Sequence, residues 1–207
     1  MAFDFKKEYK EFYLPAQKPA LVTVPRMSYV AVRGEGDPNT EGSAYKRSIE
    51  VLYAVAYTIK MSKMGDHRIE GYFDFVVPPL EGLWWTTDGQ PLDFGDKGAL
   101  QFISMIRLPD FVGRADFDWA VTEATRKKKL DCSAAEFFNY DEGLCVQCMH
   151  MGPYDDEPVT IAAMKAYAES TGHPFAHDER MHHEIYLSDP RKTALEKLKT
   201  VIRIPIA

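Results

Sequence analysis

The feature that most constrains this chain is a repeat within it. Residues 29–38, YVAVRGEGDP, resemble residues 145–154, CVQCMHMGPY: a short alternating run leads to a glycine, Gly36 or Gly152, beside an acidic turn. Similarity at long range marks one supersecondary unit used twice. A helix follows in each copy. Tyr45, Ile49, Leu52, Tyr53, Ala56 and Ile59 recur at three- and four-residue spacing in the first, and Ile161, Met164, Tyr167, Ala168 and Thr171 in the second, as one face of an amphipathic helix requires. Pro158 suits a first helical turn capped near Asp155 or Asp156, and Gly172 suits the stop.

After each helix the pattern predicts a strand ending at proline, YFDFVVPP (72–79) and HEIYLSDP (183–190), and then a second strand, MIRLP (105–109) or VIRIP (201–205). The unit is strand, helix, strand, strand. Pro79 to Arg107 spans 28 positions against 13 from Pro190 to Arg203, so the first copy carries an insertion of 15 residues. It contains EGLWWTTDGQPLDFGDKG. Trp84 and Trp85 either extend the strand pair as a hairpin and plug the core, or meet a ligand. Between the copies, residues 115–130 read as a helix whose basic run, Arg126 to Lys129, sits at the C-terminal end where the dipole favours it. The expected fold is α+β in a single domain: module one over about 20–112, the linker helix over about 115–130, and module two over about 136–207. The modules form antiparallel sheets with helices on the outer side, related by a pseudo-twofold axis.

Composition narrows the function. With 25 Lys and Arg against 31 Asp and Glu the net charge is −6, which argues against a dedicated nucleic-acid binder. The 45% apolar content suits a buried core. The first residues, MAFDFKKEYKEFYLP, contain no apolar stretch for a signal peptide or a membrane span, so a cytoplasmic protein is expected. Cys132, Cys145 and Cys148 are an odd set that makes a disulfide framework improbable. Cys145 and Cys148 fall on a strand, where positions three apart point to opposite faces. His173, His177, His182 and His183 crowd one region, but Pro174 interrupts them and no helical metal face results. No phosphate loop, dinucleotide fingerprint or serine elbow is present, and neither a metal nor an organic cofactor is expected.

Strand parity locates the chemistry. Ile185 and Leu187 share one face, expected to pack on the helix, so Glu184, Tyr186 and Ser188 face the other way. In the first copy Phe73, Phe75 and Val77 take the core face, with Tyr72 and Asp74 opposite. If the modules pair about the pseudo-twofold axis, these acid- and tyrosine-bearing surfaces meet across a central cleft suited to a flat, apolar, cationic or electron-poor molecule.

The chain resembles the GyrI-like small-molecule-binding proteins. The resemblance rests on FDFKKEYKEFYLP, PRMSYVAVRGEGDPN, PPLEGLWW, MIRLPDFV, HMGPYDDEP and HHEIYLSDPRKTALEKLKTVIRIPI, taken in order. It implies duplicated strand-helix-strand-strand (SHS2-type) modules enclosing a pocket for amphipathic or cationic compounds. It covers only the pocket half of those relatives that carry a DNA-binding domain. It further implies that the acid of the EIYLSDP strand, Glu184, contacts ligand. A PLEGLWW-type segment is similar to that of hydrolases that open the cyclopropane of DNA-alkylating natural products, which adds Glu81 and Trp84 as candidates. In such a reaction Glu184 would act as base or orient the water, Tyr186 or Tyr154 would donate to the developing phenolate, and Trp84 and Trp85 would stack on the ring system. The rival expectations are a binder that sequesters drugs or toxins without turnover, and a gyrase-type protein-interaction module whose acidic surface meets a basic partner.

Overall fold

The computed structural model describes residues 2–86, 96–176 and 181–207. Two short helices, α1 (Phe5–Glu8) and α2 (Lys10–Tyr13), precede β1 (Ala20–Val24) and β2 (Met27–Glu35). Helix α3 (Ala44–Lys60) starts where the Ser43 hydroxyl accepts from the Lys46 N–H, a serine N-cap. Strands β3 (Leu80–Thr86) and β4 (Leu100–Arg107) follow, then α4 (Arg114–Lys128), β5 (Glu136–Tyr140) and β6 (Gly143–Met151). Helix α5 (Glu157–Ser170) begins with Pro158 in its first turn, and β7 (His182–Tyr186) and β8 (Lys199–Pro205) close the chain. The matched glycines of the repeat, Gly36 and Gly152, both take positive φ, +101° and +131°, which a side chain would resist. Among the described residues no helix is long and apolar enough to cross a membrane.

Among the described residues, eight strands form one antiparallel sheet in the order β1-β6-β8-β7-β3-β4-β2-β5. Its centre is the seam between β7 and β3, on either side of which β8 then β6 mirrors β4 then β2. Module two (β6, α5, β7, β8) and module one (β2, α3, β3, β4) therefore stand edge to edge in a continuous sheet, where sequence reasoning expected them face to face. The outermost strands are exchanged: β1 pairs with β6 and β5 with β2. Only two residues separate β1 from β2, and two separate β5 from β6. Such links reach at most about 11 Å, so the sheet must curl until its ends meet.

Two strand expectations are corrected. Residues 72–79 are extended but form only an isolated bridge, Phe3 to Phe75. Their aromatic rings pack on the N-terminal segment and Phe111. The first-copy counterpart of β7 is LEGLWWT, inside the segment read as an insertion; residues 87–95 of that segment lie outside the described residues, as does His177. Alternation along β7 is as expected, but its faces are reversed. Glu184 and Tyr186 lie on the side that carries α3 and α5, while Ile185 turns to the inner face with His183.

The inner face holds a buried ion network. His183 Nε2 meets Glu81 Oε2 at 2.9 Å and its Nδ1 meets Glu142 Oε1 at 2.9 Å. Arg203 donates to Glu142 Oε2 at 2.8 Å and to the Phe12 carbonyl at 2.7 Å, and the Tyr13 hydroxyl donates to Glu81. Glu142 sits in the β5–β6 link yet touches β7 and β8, as the curl demands. The N-terminal helices, with Phe5, Phe12 and Tyr13 buried, plug this face. Burial alone would push His183 down, but the charges and hydrogen bonds of Glu142 and Glu81 hold it at about 9. Burial would push Glu142 up, but His183 and Arg203 hold it at about 2.

These shifts set the pH dependence of stability. The folded state retains a proton on His183 above its ordinary value of 6.5, so the stabilisation is complete below about 6.5 and is lost as pH rises through about 9. Glu142 works the other way: its contribution is present above its ordinary 4.5 and is lost as pH falls toward 2. Urea midpoints should therefore fall between pH 7 and 10. Glu142→Gln should cost about 3–5 kcal/mol, because it strands buried charge. A flat profile, or a variant as stable as the parent, contradicts the assignment.

Candidate functional site

Across the central seam, Tyr186 faces Leu80, Glu184 faces Gly82 and His182 faces Trp84. Directly opposed residues share a face, so these six side-chain positions make one surface on the helix-bearing side of the sheet. Helices α3 and α5 leave a gap over that surface. The gap is a cavity of about 950 Å³, at the upper end of the range for small-molecule sites. Trp84, Tyr186 and Glu184 form its floor, Tyr45, Ile49 and Tyr53 of α3 one wall, and Tyr154 and Asp155 ahead of α5 another. The apolar stripe read on α3 thus divides: Leu52, Ala56 and Ile59 enter the core, while Tyr45, Ile49 and Tyr53 line the cavity.

The rings are fixed by one another. Tyr45 lies 5.2 Å from both Trp84 and Phe102, and Tyr154 meets Tyr186 edge-on at 5.8 Å. The Trp84 indole N–H donates to the Tyr186 hydroxyl at 2.8 Å. Burial and then the charge of Glu184 push the Tyr186 phenol well above its usual value, and the same two causes bring Tyr154 to about 12. Both hydroxyls therefore stay protonated and serve as donors, not bases. Two charge pairs stand at the cavity rim, Lys97 with Asp155 at 2.6 Å and Arg191 with Asp189 through two contacts of 2.9 and 3.0 Å, and Lys46 donates to the Asn39 carbonyl. Glu184, 8% exposed, accepts a hydrogen bond from His182 Nε2 at 3.1 Å.

Behind Glu184 lies Glu157, fully buried at the start of α5. One donor atom each from Glu157, His182 and Glu184 fall within 4.8 Å of one another, the only such trio among the described residues. Within the trio His182 Nε2 bonds to Glu184, whereas among the described residues the carboxyl oxygens of Glu157 have no hydrogen-bond partner. Cys132, Cys145 and Cys148 are all buried.

The structure brings together Glu184, Tyr186, Trp84 and Tyr154 of the residues singled out in the sequence. It separates four others. Glu81 lies on the inner face in the ion network. Trp85 shares that parity, and its indole N–H donates to Gln101. Tyr72 donates to the Lys60 carbonyl and Asp74 pairs with Lys63 at the surface, because their segment is not part of the sheet. Sequence reasoning missed Tyr45, Glu157 and His182. Tyr45 was visible only as a member of a helical stripe. Glu157 resembles an ordinary first-turn acid.

Gly82 explains why EGLWW carries a glycine between an acid and the tryptophans. A Cβ there would stand 2.6 Å from Trp84 Nε1 and 3.2 Å from the Tyr186 hydroxyl, so the indole lies back across its own strand only because that space is empty. Gly82→Ala should break the Trp84–Tyr186 hydrogen bond, costing about 1 kcal/mol for that bond alone, and should shift the Trp84 emission. Unchanged emission and unchanged dye binding would show that the close approach does not matter.

Comparison with known proteins agrees with this architecture. Residues 17–207 match the GyrI-like small molecule binding domain. A solved structure of an uncharacterized conserved protein from Listeria innocua is 46% identical, with 99% of this chain and 100% of that chain covered and a TM-score of 0.92. A structure described as a hydrolase from Listeria innocua is 45% identical over 99% of this chain and 100% of that one, with a TM-score of 0.90. The EcmrR C-terminal domain, at 13% identity, covers 92% of this chain and 97% of its own with a TM-score of 0.54, a likeness of fold alone. The curated proteins contain no match. A cleft walled by aromatic rings over a central seam, in a chain that matches the domain from residue 17 to its last residue, places this protein in the GyrI-like small-molecule-binding family.

Proposed function

We propose that the cleft between α3 and α5 binds planar hydrophobic, cationic or electrophilic small molecules and hydrolyses cyclopropane-bearing genotoxins among them. The observation that carries the reading is the convergence of one carboxylate, Glu184, and one protonated phenol, Tyr186, on a floor completed by the Trp84 indole. The hydrolase description of a Listeria innocua protein 45% identical to this one supports it.

In the reaction, a water oxygen forms a bond to the ring carbon as the cyclopropane C–C bond breaks. The released electron pair moves through the conjugated dienone to its oxygen, which becomes a phenolate. Glu184 takes the water proton, Tyr186 or Tyr154 donates a hydrogen bond to the oxygen that gains charge, and the proton then leaves Glu184 to give the neutral phenol. Trp84 and Tyr45 stack on the flat system and exclude water from it. Ring strain and aromatisation drive the step, so orientation and a single base suffice.

Turnover of a cyclopropanoid alkylator tests this. Glu184→Gln should lower kcat/KM by about 100-fold or more, while quenching of tryptophan fluorescence by flat aromatic dyes persists. Quenching without any turnover in the parent protein would leave a sequestering binder and remove the catalytic reading. Absence of both would remove the cleft itself as a ligand site.

A further inference from the structure

Among the described residues neither carboxyl oxygen of Glu157 has a hydrogen-bond partner, although the side chain is entirely buried. An ionised carboxylate so placed is severely penalised. What stands beside it is a second acceptor, the Glu184 carboxylate; a ring nitrogen of His182 lies within 4.8 Å of both, and its Nε2 is engaged with Glu184 at 3.1 Å. Two ionised carboxylates cannot bond to each other; one proton between them supplies the missing donor. Among the described residues the groups that face the pair are Tyr154 and Asp155 from the turn before α5, Tyr186 from β7 and Tyr45 from α3. Of the cations that line the cleft, Lys97 and Arg191 are held by Asp155 and Asp189, and Lys46 donates to the Asn39 carbonyl at 3.1 Å.

We infer that Glu157 and Glu184 share a single proton behind the cleft floor, and that a cationic ligand seated beside Glu184 expels this proton to solvent whereas a neutral one does not. Burial, and then the charge of Glu184, hold Glu157 well above the usual carboxylate range. Against them works the α5 dipole, which favours an anion in the first turn, so a second positive charge in the cleft tips the balance toward ionisation. The pair then carries one negative charge when the cleft is empty or holds a neutral ring compound, and two when it holds a cation. One pocket thereby accommodates both ligand classes without stranding charge. This rests on the cleft being the ligand site, as proposed above.

The test uses the whole protein, treated with EDTA, and two flat probes: acridine orange as the cation and acridone as the neutral ring compound. Acridine orange should release up to one proton per site in weakly buffered solution. Its affinity should rise with pH, approaching tenfold per unit over the range where the pair is protonated when free and ionised when bound. Acridone should release none and show a flat profile. Glu157→Gln should bind acridine orange with no proton release and no slope. Acridine orange binding without release, an equal slope for acridone, or a slope that survives in Glu157→Gln overturns the inference while leaving the cleft intact. Failure of both probes to bind removes the cleft reading and this one with it. Proton release on adding Zn²⁺ alone, with stoichiometric binding lost in Glu157→Gln, would replace the shared proton by a metal ion. Should Glu157→Gln not fold, the contrast between the two probes on the parent protein still decides.

Discussion

The register of β7 against β3 rests on His183, clamped between Glu81 of the neighbouring strand and Glu142 of the β5–β6 link. A slip of one residue would exchange the faces of every side chain on β7: Glu184 would enter the inner face beside Glu81, and His183 would enter the cleft. The ion network opposes this, because it would take the His183 imidazole away from the buried carboxylates of Glu81 and Glu142. The same contacts fix the link that runs from β5, at one end of the sheet, to β6 near the other, since Glu142 on that link is bonded to His183 and Arg203. They also hold the N-terminal plug through the Phe12 carbonyl and the Tyr13 hydroxyl. What looks like structural chemistry on one face is thus the positional reference for the cleft on the other.

The cleft follows from the pseudo-symmetry. Where two like modules join edge to edge, each helix covers its own strands and neither covers the seam. The uncovered strip is floored by alternate residues of β3 and β7, which are Leu80, Gly82 and Trp84 on one strand and His182, Glu184 and Tyr186 on the other. Gly82 makes room, Trp84 fills it, and Tyr186 receives the indole hydrogen bond. The result is a rigid aromatic floor with a single carboxylate emerging through it.

Much of this was legible in the sequence. The repeat, both long helices, the linker helix, β7 and the alternation that groups Glu184 with Tyr186 follow from periodicity and turn chemistry. The strand of the first copy was misplaced because YFDFVVPP alternates apolar and polar residues like a strand, while its rings are spent on Phe3, Phe5 and Phe111. Parity says which residues share a face and cannot say which face carries the helices when both are covered, as on β7. Glu81 and Glu184 look alike in sequence, both acids on a strand beside the seam; a single step of parity separates an ion-pair partner from a cleft residue. The partners of His183 lie 41 and 102 residues away, and no local pattern announces them. Glu157 differs from any first-turn acid only in what surrounds it.

The account turns on the helix-bearing face of the seam being where a ligand sits. A crystal structure with acridine orange soaked in tests that most directly. The account predicts the ring system in van der Waals contact with Trp84 and Tyr45, and its charged edge turned to Glu184. Ring density on the inner face against Trp85 and Glu81, or on the outer surface away from Glu184, would contradict it.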